Sequence, residues 1–326
     1  MEFIVCCKKH YIVPIFAVTR LLSDCHCHFL IFSDRIIMKN IVKFYKGADK
    51  MFYLVLAIIS AAANSTILRI SKKFIRNKIS MLAGNYLTCT LLSAAYMYPQ
   101  PFFPQTDKIS LVLFLSAING IILLSGFLLM QCCIFNYGIV MTSIFSRMGV
   151  LVPITAAVLF FREKPSLLQL LGFALSIWAI IIINGRARVK KLSFSLIALL
   201  LINGCSDLMA KIYEEIGPSC LSENYLLYSF FTTLVLNICL SIYKKERPGI
   251  GDIAWGMILG IPNYYSARFL LKSLSGVPAF IVYPTFSVGS MAALTFIGVL
   301  LFKEKPDKQK YAAIAVIMLS LVLLNI

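Results

Sequence analysis

Charge is scarce in this chain, and acid is scarcest. Only 14% of the 326 residues are charged, with 14 acids against 31 bases. A soluble domain of this length exposes far more polar surface, so a water-soluble fold is excluded. Histidine is rarer still: His10, His26 and His28 are the three, all within the first 28 residues. The rest of the chain therefore holds no Ser-His-Asp constellation and no HExxH zinc site. No GxxxxGK[ST] is present, which removes a Walker-type nucleotide site. Cysteine offers no framework either. Cys89, Cys132, Cys133, Cys205 and Cys239 fall in apolar runs and read as small hydrophobic residues. "CHCH" at 25–28 lacks the CxxC pairing of a zinc site. No enzyme activity, metal or cofactor is expected.

What is present is apolar. Hydrophobic residues make up 60% of the chain, in runs that approach or exceed the roughly 20 residues needed to cross a bilayer core. The expected class is an all-α polytopic membrane protein. Runs of this length satisfy their own backbone as helices, and the ten-residue alternation of a β-barrel is missing. From Met51 onward the pattern predicts ten spans, near 51–70, 79–98, 109–133, 137–161, 166–185, 192–212, 222–243, 250–273, 277–302 and 308–325. "YPQPFFPQTD" (98–107) cannot continue a helix. Residues 1–50 differ: Lys8, Lys9, Arg20, Asp24 and Asp34 interrupt every apolar stretch, and no signal-peptide order is visible. They read as a poorly ordered extension ahead of a start at Met38 or Met51.

The net charge of +17 does not point to nucleic acid. The bases sit in short clusters between apolar runs: Lys72 to Lys78, Arg186 to Lys191, Lys244 to Arg247 and Lys303 to Lys310. That is the pattern of cytoplasmic loops facing anionic lipid, which makes the bilayer the expected partner.

One charged phrase occurs twice. "FREKP" (161–165) and "FKEKP" (302–306) follow apolar runs 141 residues apart. Pro165 and Pro306 suit the first turn of a helix, and Glu163 and Glu304 suit its positive end. The same shift pairs Ala57 with Ala198, Ser65 with Ser206, Ser125 with Ser266 and Phe145 with Phe286. Two halves follow, 51–185 and 192–326, each with five spans. An odd number inverts the second half relative to the first, an arrangement common among secondary transporters.

The segment 135–185 resembles the second half of an EamA domain. Pro153, Glu163, Gln169 and Gly172 occupy the places where that family has a helix proline, a turn acid, and a Gln and Gly opening the last helix. In the second copy Glu304 fits, Gln309 is one place off and Ala313 replaces the glycine. The resemblance covers about 51–326. It implies the drug/metabolite transporter superfamily, with two inverted five-helix repeats around a central cavity and a small-molecule substrate in the cytoplasmic membrane. Monomer and homodimer are both compatible with it. It also implies both termini inside, whereas basic clusters after spans one, five, seven and nine place the ends of the 51–326 core outside.

Ionisable groups inside spans mark candidate sites. Arg147, near the middle of span four, offers a planar fork for carboxylate or phosphate. Arg268 lies in span eight. Asp207 precedes Lys211 by four residues, so the two either neutralise each other or leave Asp207 to a proton or cation. Asn64, Asn119, Gln131 and Asn203, with Tyr264, Tyr265 and Tyr283, complete the polar set. Singly, each reads as glue between helices; together they outline a shared path. The favoured reading is transport of a small metabolite, such as an amino acid or organic anion. A broad multidrug exporter and a non-transporting membrane scaffold are the alternatives.

Overall fold

The computed structural model describes residues 30–99, 101–183, 194–245, 248–302 and 308–324. The chain separates into two compact units, 1–49 and 50–326. In the first, the described part is the opening of helix α1 (Leu30–Ser71). Helix is therefore present ahead of the expected first span, and residues 1–29 of the expected extension lie outside the described residues.

The second unit is helical throughout. After α1 come α2 (Lys78–Met97), α3 (Ile109–Met148), α4 (Leu151–Leu159), α5 (Leu167–Ile183), α6 (Phe194–Ile216), α7 (Ser222–Tyr243), α8 (Ile250–Leu274), α9 (Ala279–Phe302) and α10 (Lys308–Leu324). A 3-10 turn, Ser219–Leu221, leads into α7. No strand is found among the described residues. Five stretches are long and apolar enough to cross a membrane: Lys50–Ser71, Ile109–Ile134, Phe194–Ile216, Ser219–Tyr243 and Ala279–Leu301. Large apolar side chains face outward, Leu167, Phe194 and Ile250 being 80–87% exposed. A surface this greasy needs lipid rather than water, so the protein is membrane-embedded.

Local chemistry explains the helix ends. Asn77 caps α2, its Oδ1 accepting from Ile79 N at 2.9 Å and Ser80 N at 3.2 Å. Ser166 and Gln169 form a reciprocal capping box at α5: Ser166 N donates to Gln169 Oε1 (3.0 Å), and Gln169 N donates to Ser166 Oγ (3.2 Å). Pro165 thus precedes the first turn of α5 rather than lying in it. Glu304 and Pro306 of the second phrase lie outside the described residues.

Helical hydrogen bonding runs without a gap from Ile109 to Met148, yet the chain turns back near the expected return at 133–137. Gly126 packs against Asn203 and Gly149 against Gly204, which only a reversal between them allows. The break comes at Gly149–Val150, and α4 starts at Leu151. Pro153 accounts for the break: it has no N–H for the carbonyl four residues back, and Gly149 O accepts from Val152 N instead, at 2.9 Å. Pro153 therefore kinks an apolar helix that runs from Phe145 to Leu159, and Gly149 and Val150 keep helical backbone angles through the kink. The span-length part of α3 is Ile109–Ile134.

Small residues and hydroxyls mark the helix seams, while tyrosines and leucines fill the interior between them. Helices α2 and α8 pack most extensively, followed by α3 with α6 and α5 with α10. A methyl on Gly256 would lie 1.9 Å from Met81 O, and one on Gly260 2.5 Å from Asn85 O, so α2 and α8 meet backbone to backbone. Helices α3 and α7 are joined by Ser116 Oγ to Tyr225 O (3.1 Å) and Thr233 Oγ1 to Gly120 O (3.1 Å). Both pairs run parallel, since residue numbers rise together across each seam.

Hydrogen bonds tie up two ends of this bundle. At one, Asp252 accepts from Arg76 N and Asn77 N, both at 3.0 Å. Exposed Lys72, Lys73, Arg76, Lys78, Lys244 and Lys245 cluster near that end. At the other, Lys50 Nζ donates to Ser275 Oγ at 2.7 Å, and Glu163, Glu214, Glu215 and Glu223 gather. We refer to these as the basic and the acidic end.

Candidate functional site

A cavity of about 460 Å³ lies between α1, α3, α6 and α9. Four of the residues anticipated from sequence line it: Arg147, Asn203, Asp207 and Tyr283. Arg147 lies just before the kink at Gly149–Val150, within the apolar helix Phe145–Leu159 that continues past it. Arg147 Nη1 donates to Ser290 Oγ of α9 at 3.0 Å. Among the described residues that is the partner found for a group with five donors. Asn203 Nδ2 donates to Ser146 Oγ at 2.8 Å, and Tyr283 Oη donates to the backbone oxygen of Asp207 at 2.5 Å. The lining extends to Leu68, one turn from the α1 terminus at Ser71, so the cavity reaches toward the basic end.

Arg147 and Asp207 face the same cavity, yet among the described residues no ion pair joins them. Lys211 does not neutralise Asp207 either. It pairs instead with Glu163 at 3.2 Å, Glu214 at 3.0 Å and Glu215 at 2.6 Å, while only 4% exposed. Glu163 is the surprise. Expected at the start of its own following helix, it reaches α9, where Oε1 accepts from Ala279 N and Oε2 from Phe280 N, both at 3.0 Å. The first phrase of the repeat therefore caps a helix in the opposite half of the chain and holds a lysine of α6. This cluster lies one helical turn past Asp207, on the acidic side of the cavity.

The other anticipated residues lie elsewhere. Arg268 does not share the cavity with Arg147. Its Nε donates to Glu223 Oε1 at 2.6 Å, its guanidinium lies 3.7 Å from the centre of the Tyr96 ring, and Tyr264 Oη donates to Glu223 Oε2 at 2.9 Å. Tyr265 and Tyr96 share a hydroxyl contact of 2.9 Å. Asn64 belongs to an amide chain, donating to Asn263 Oδ1 at 3.4 Å, and Asn263 donates to Asn85 Oδ1 at 3.2 Å. Asn119 bonds Ser229 across the α3–α7 seam at 3.2 Å. The Nε2 of Gln131 is buried without a partner among the described residues, outside the cavity lining. All of these except Gln131 bond across helices as interhelical glue.

Sequence reasoning passed over Ser65, Ser146, Ser206, Phe286 and Ser287 as lining. A signal was available: Ser65 and Ser206 are equivalent under the 141-residue shift, and Phe286 pairs with Phe145. Among the described residues no three His, Cys, Asp or Glu side chains gather into a metal centre. The donors instead form a polar pocket in an apolar bundle, with Arg147 and Asp207 both on its lining.

No family model matches the chain. It is similar to an uncharacterized protein of Haemophilus influenzae, 26% identical over 282 residues, which cover 81% of this chain and 94% of that one. Its fold is similar to that of a protein known from a crystal structure, with a TM-score of 0.67 and 12% identity over 85% of this chain and 96% of that one. At that identity the likeness shows the fold alone.

Proposed function

We propose that the chain is a secondary transporter of the drug/metabolite type, moving a small polar metabolite across the cytoplasmic membrane. The movement is alternating access between two inverted five-helix repeats that together cross the membrane ten times. The observation that carries this reading is the cavity of about 460 Å³, which holds Arg147 and Asp207 unpaired with each other inside a membrane-embedded bundle. Charges in such a setting are costly, and a solute path is the simplest reason to keep two of them apart.

Further observations support the repeat. A shift of 141 residues carries Leu167–Ile183 of α5 onto Lys308–Leu324 of α10, and the start of α3 at Ile109 onto that of α8 at Ile250. The parallel α2–α8 seam has its counterpart in the parallel seam of α7 with α3. The cavity reaches toward the basic end, and the Lys211 cluster lies on its acidic side, an arrangement compatible with one-sided access. An amino acid suits the pocket, with its carboxylate on Arg147 and its ammonium on Asp207. An organic anion would use Arg147 alone.

The test is thermal unfolding of the purified full-length protein with amino acids, organic acids, phosphorylated metabolites, nucleosides and cationic dyes. A ligand of the folded state at a hundredfold excess over Kd raises stability by about 2.7 kcal/mol. Shifts with amino acids or organic acids, absent in Arg147→Met, are the expected result. Shifts confined to bulky cations would favour a multidrug exporter. No shift with any solute would favour a membrane scaffold.

A further inference from the structure

A second cavity, of about 390 Å³, opens at the acidic end, in the range of small-molecule sites. Its lining carries three cations, Lys50, Arg268 and Lys272, and two acids, Glu214 and Glu223. Both acids are engaged. Glu223 accepts from Arg268 and Tyr264 through its two oxygens, and Glu214 holds Lys211. Lys50 and Lys272 are left without a carboxylate at ion-pair distance among the described residues. Lys50 Nζ touches Ser275 Oγ, and the two ammonium groups lie 5.9 and 5.4 Å from the centre of the same ring, Tyr53. Two like charges drawn to one aromatic ring repel each other unless an anion sits between them.

We propose that this second cavity is an anion-binding site, distinct from the Arg147 cavity. Its ligand is an organic anion with an apolar body. The carboxylate or phosphate is held between Lys50 and Lys272, and the body rests on Tyr53. Arg268 is a wall of the site, fixed by Glu223, rather than a ligand. A free carboxylate and an anionic lipid headgroup share this chemistry. The site does not depend on the transport reading, because it uses none of the residues around Arg147.

Pyridoxal 5′-phosphate tests it, since its phosphate and ring mimic the ligand and its aldehyde reports on the lysines. The full-length protein in detergent is treated with the reagent and reduced with borohydride, and the modified peptides are identified by mass spectrometry. Lys50 or Lys272 is expected to react at a concentration at least about tenfold below that needed for exposed Lys72, Lys73 and Lys244. Benzoate should protect them and neutral benzyl alcohol should not. Lys272→Met should bring Lys50 down to the surface level, and Lys272→Arg should keep benzoate protection at Lys50. In bicelles, protection by phosphatidylglycerol over phosphatidylcholine would mark a lipid headgroup as the occupant, and protection by benzoate alone a free anion. Labelling no better than at the surface lysines, or equal protection by benzoate and benzyl alcohol, overturns the proposal. Arg147→Met should leave the labelling pattern unchanged, so failure of the transport reading and failure of this site are separate results.

Discussion

The two cavities contain similar residues and differ in how their charges are matched. In the first, Arg147 is tied to one serine, and Asp207 is approached at its backbone by Tyr283. In the second, Arg268, Glu223 and Tyr264 form a closed set, and the surplus lies in Lys50 and Lys272. Between them Lys211 binds three carboxylates. An ionisable residue in a helix thus means different things depending on its partners. Arg147 keeps donors facing the first cavity, where we propose a solute binds, whereas Arg268 is held by Glu223 and Tyr96.

The sharpest way to break this contrast is at the separating layer. Lys211→Met leaves Glu163, Glu214 and Glu215 crowded without a cation and should cost about 3 kcal/mol of stability. It should also release the α9 N-terminus that Glu163 caps. Thermal unfolding reads the first effect, and hydrogen exchange at Ala279 and Phe280 the second. An unchanged melting temperature would mean that the cluster is not a structural barrier.

The arginines come next, and they should fail in opposite ways. Arg147→Met removes a charged hydrogen-bonding group from the first cavity, and a loss of about 1.5–3 kcal/mol corresponds to transport falling roughly 10- to 100-fold with little change in melting. Arg268→Met strands Glu223 and should lower stability by about 3 kcal/mol while transport per folded molecule is largely kept. Measuring transport and melting on both variants would erase the distinction if the two losses ran in parallel. Ser290→Ala, which takes away the positioning bond of Arg147, should raise KM by about tenfold or less, read by initial rates at varied solute. Smallest of all, Gln169→Ala opens the α5 capping box far from either cavity. It should cost about 1 kcal/mol in unfolding with no effect on transport.

Much of the fold was legible because lipid imposes it: long apolar runs, proline loops and basic clusters need no tertiary knowledge. The return before span four was legible, because Asn136 and Gly138 weaken the helix there. The kink within that span was legible only in part, since the effect of Pro153 falls four residues upstream, at Gly149. Arg147, Asn203, Asp207 and Tyr283 could be collected from sequence because ionisable and amide groups are rare in spans. Which of them remain unpaired could not. Lys211 has acids four residues away on both sides, Asp207 and Glu215, and the choice is decided by Glu163, which is distant in sequence and arrives through the α4–α5 turn. Likewise the spacing of "FREKP" suggests a local cap, and only the approach of α9 turns Glu163 into a long-range one.

The most direct test of the central claim is solute exchange across proteoliposomes containing the full-length protein. Wild type and Arg147→Met would be compared at equal amounts of folded protein. Saturable exchange of an amino acid or organic anion by wild type, reduced at least tenfold in Arg147→Met, is the predicted result. Equal exchange by both proteins, or none by an intact wild type, would contradict the account.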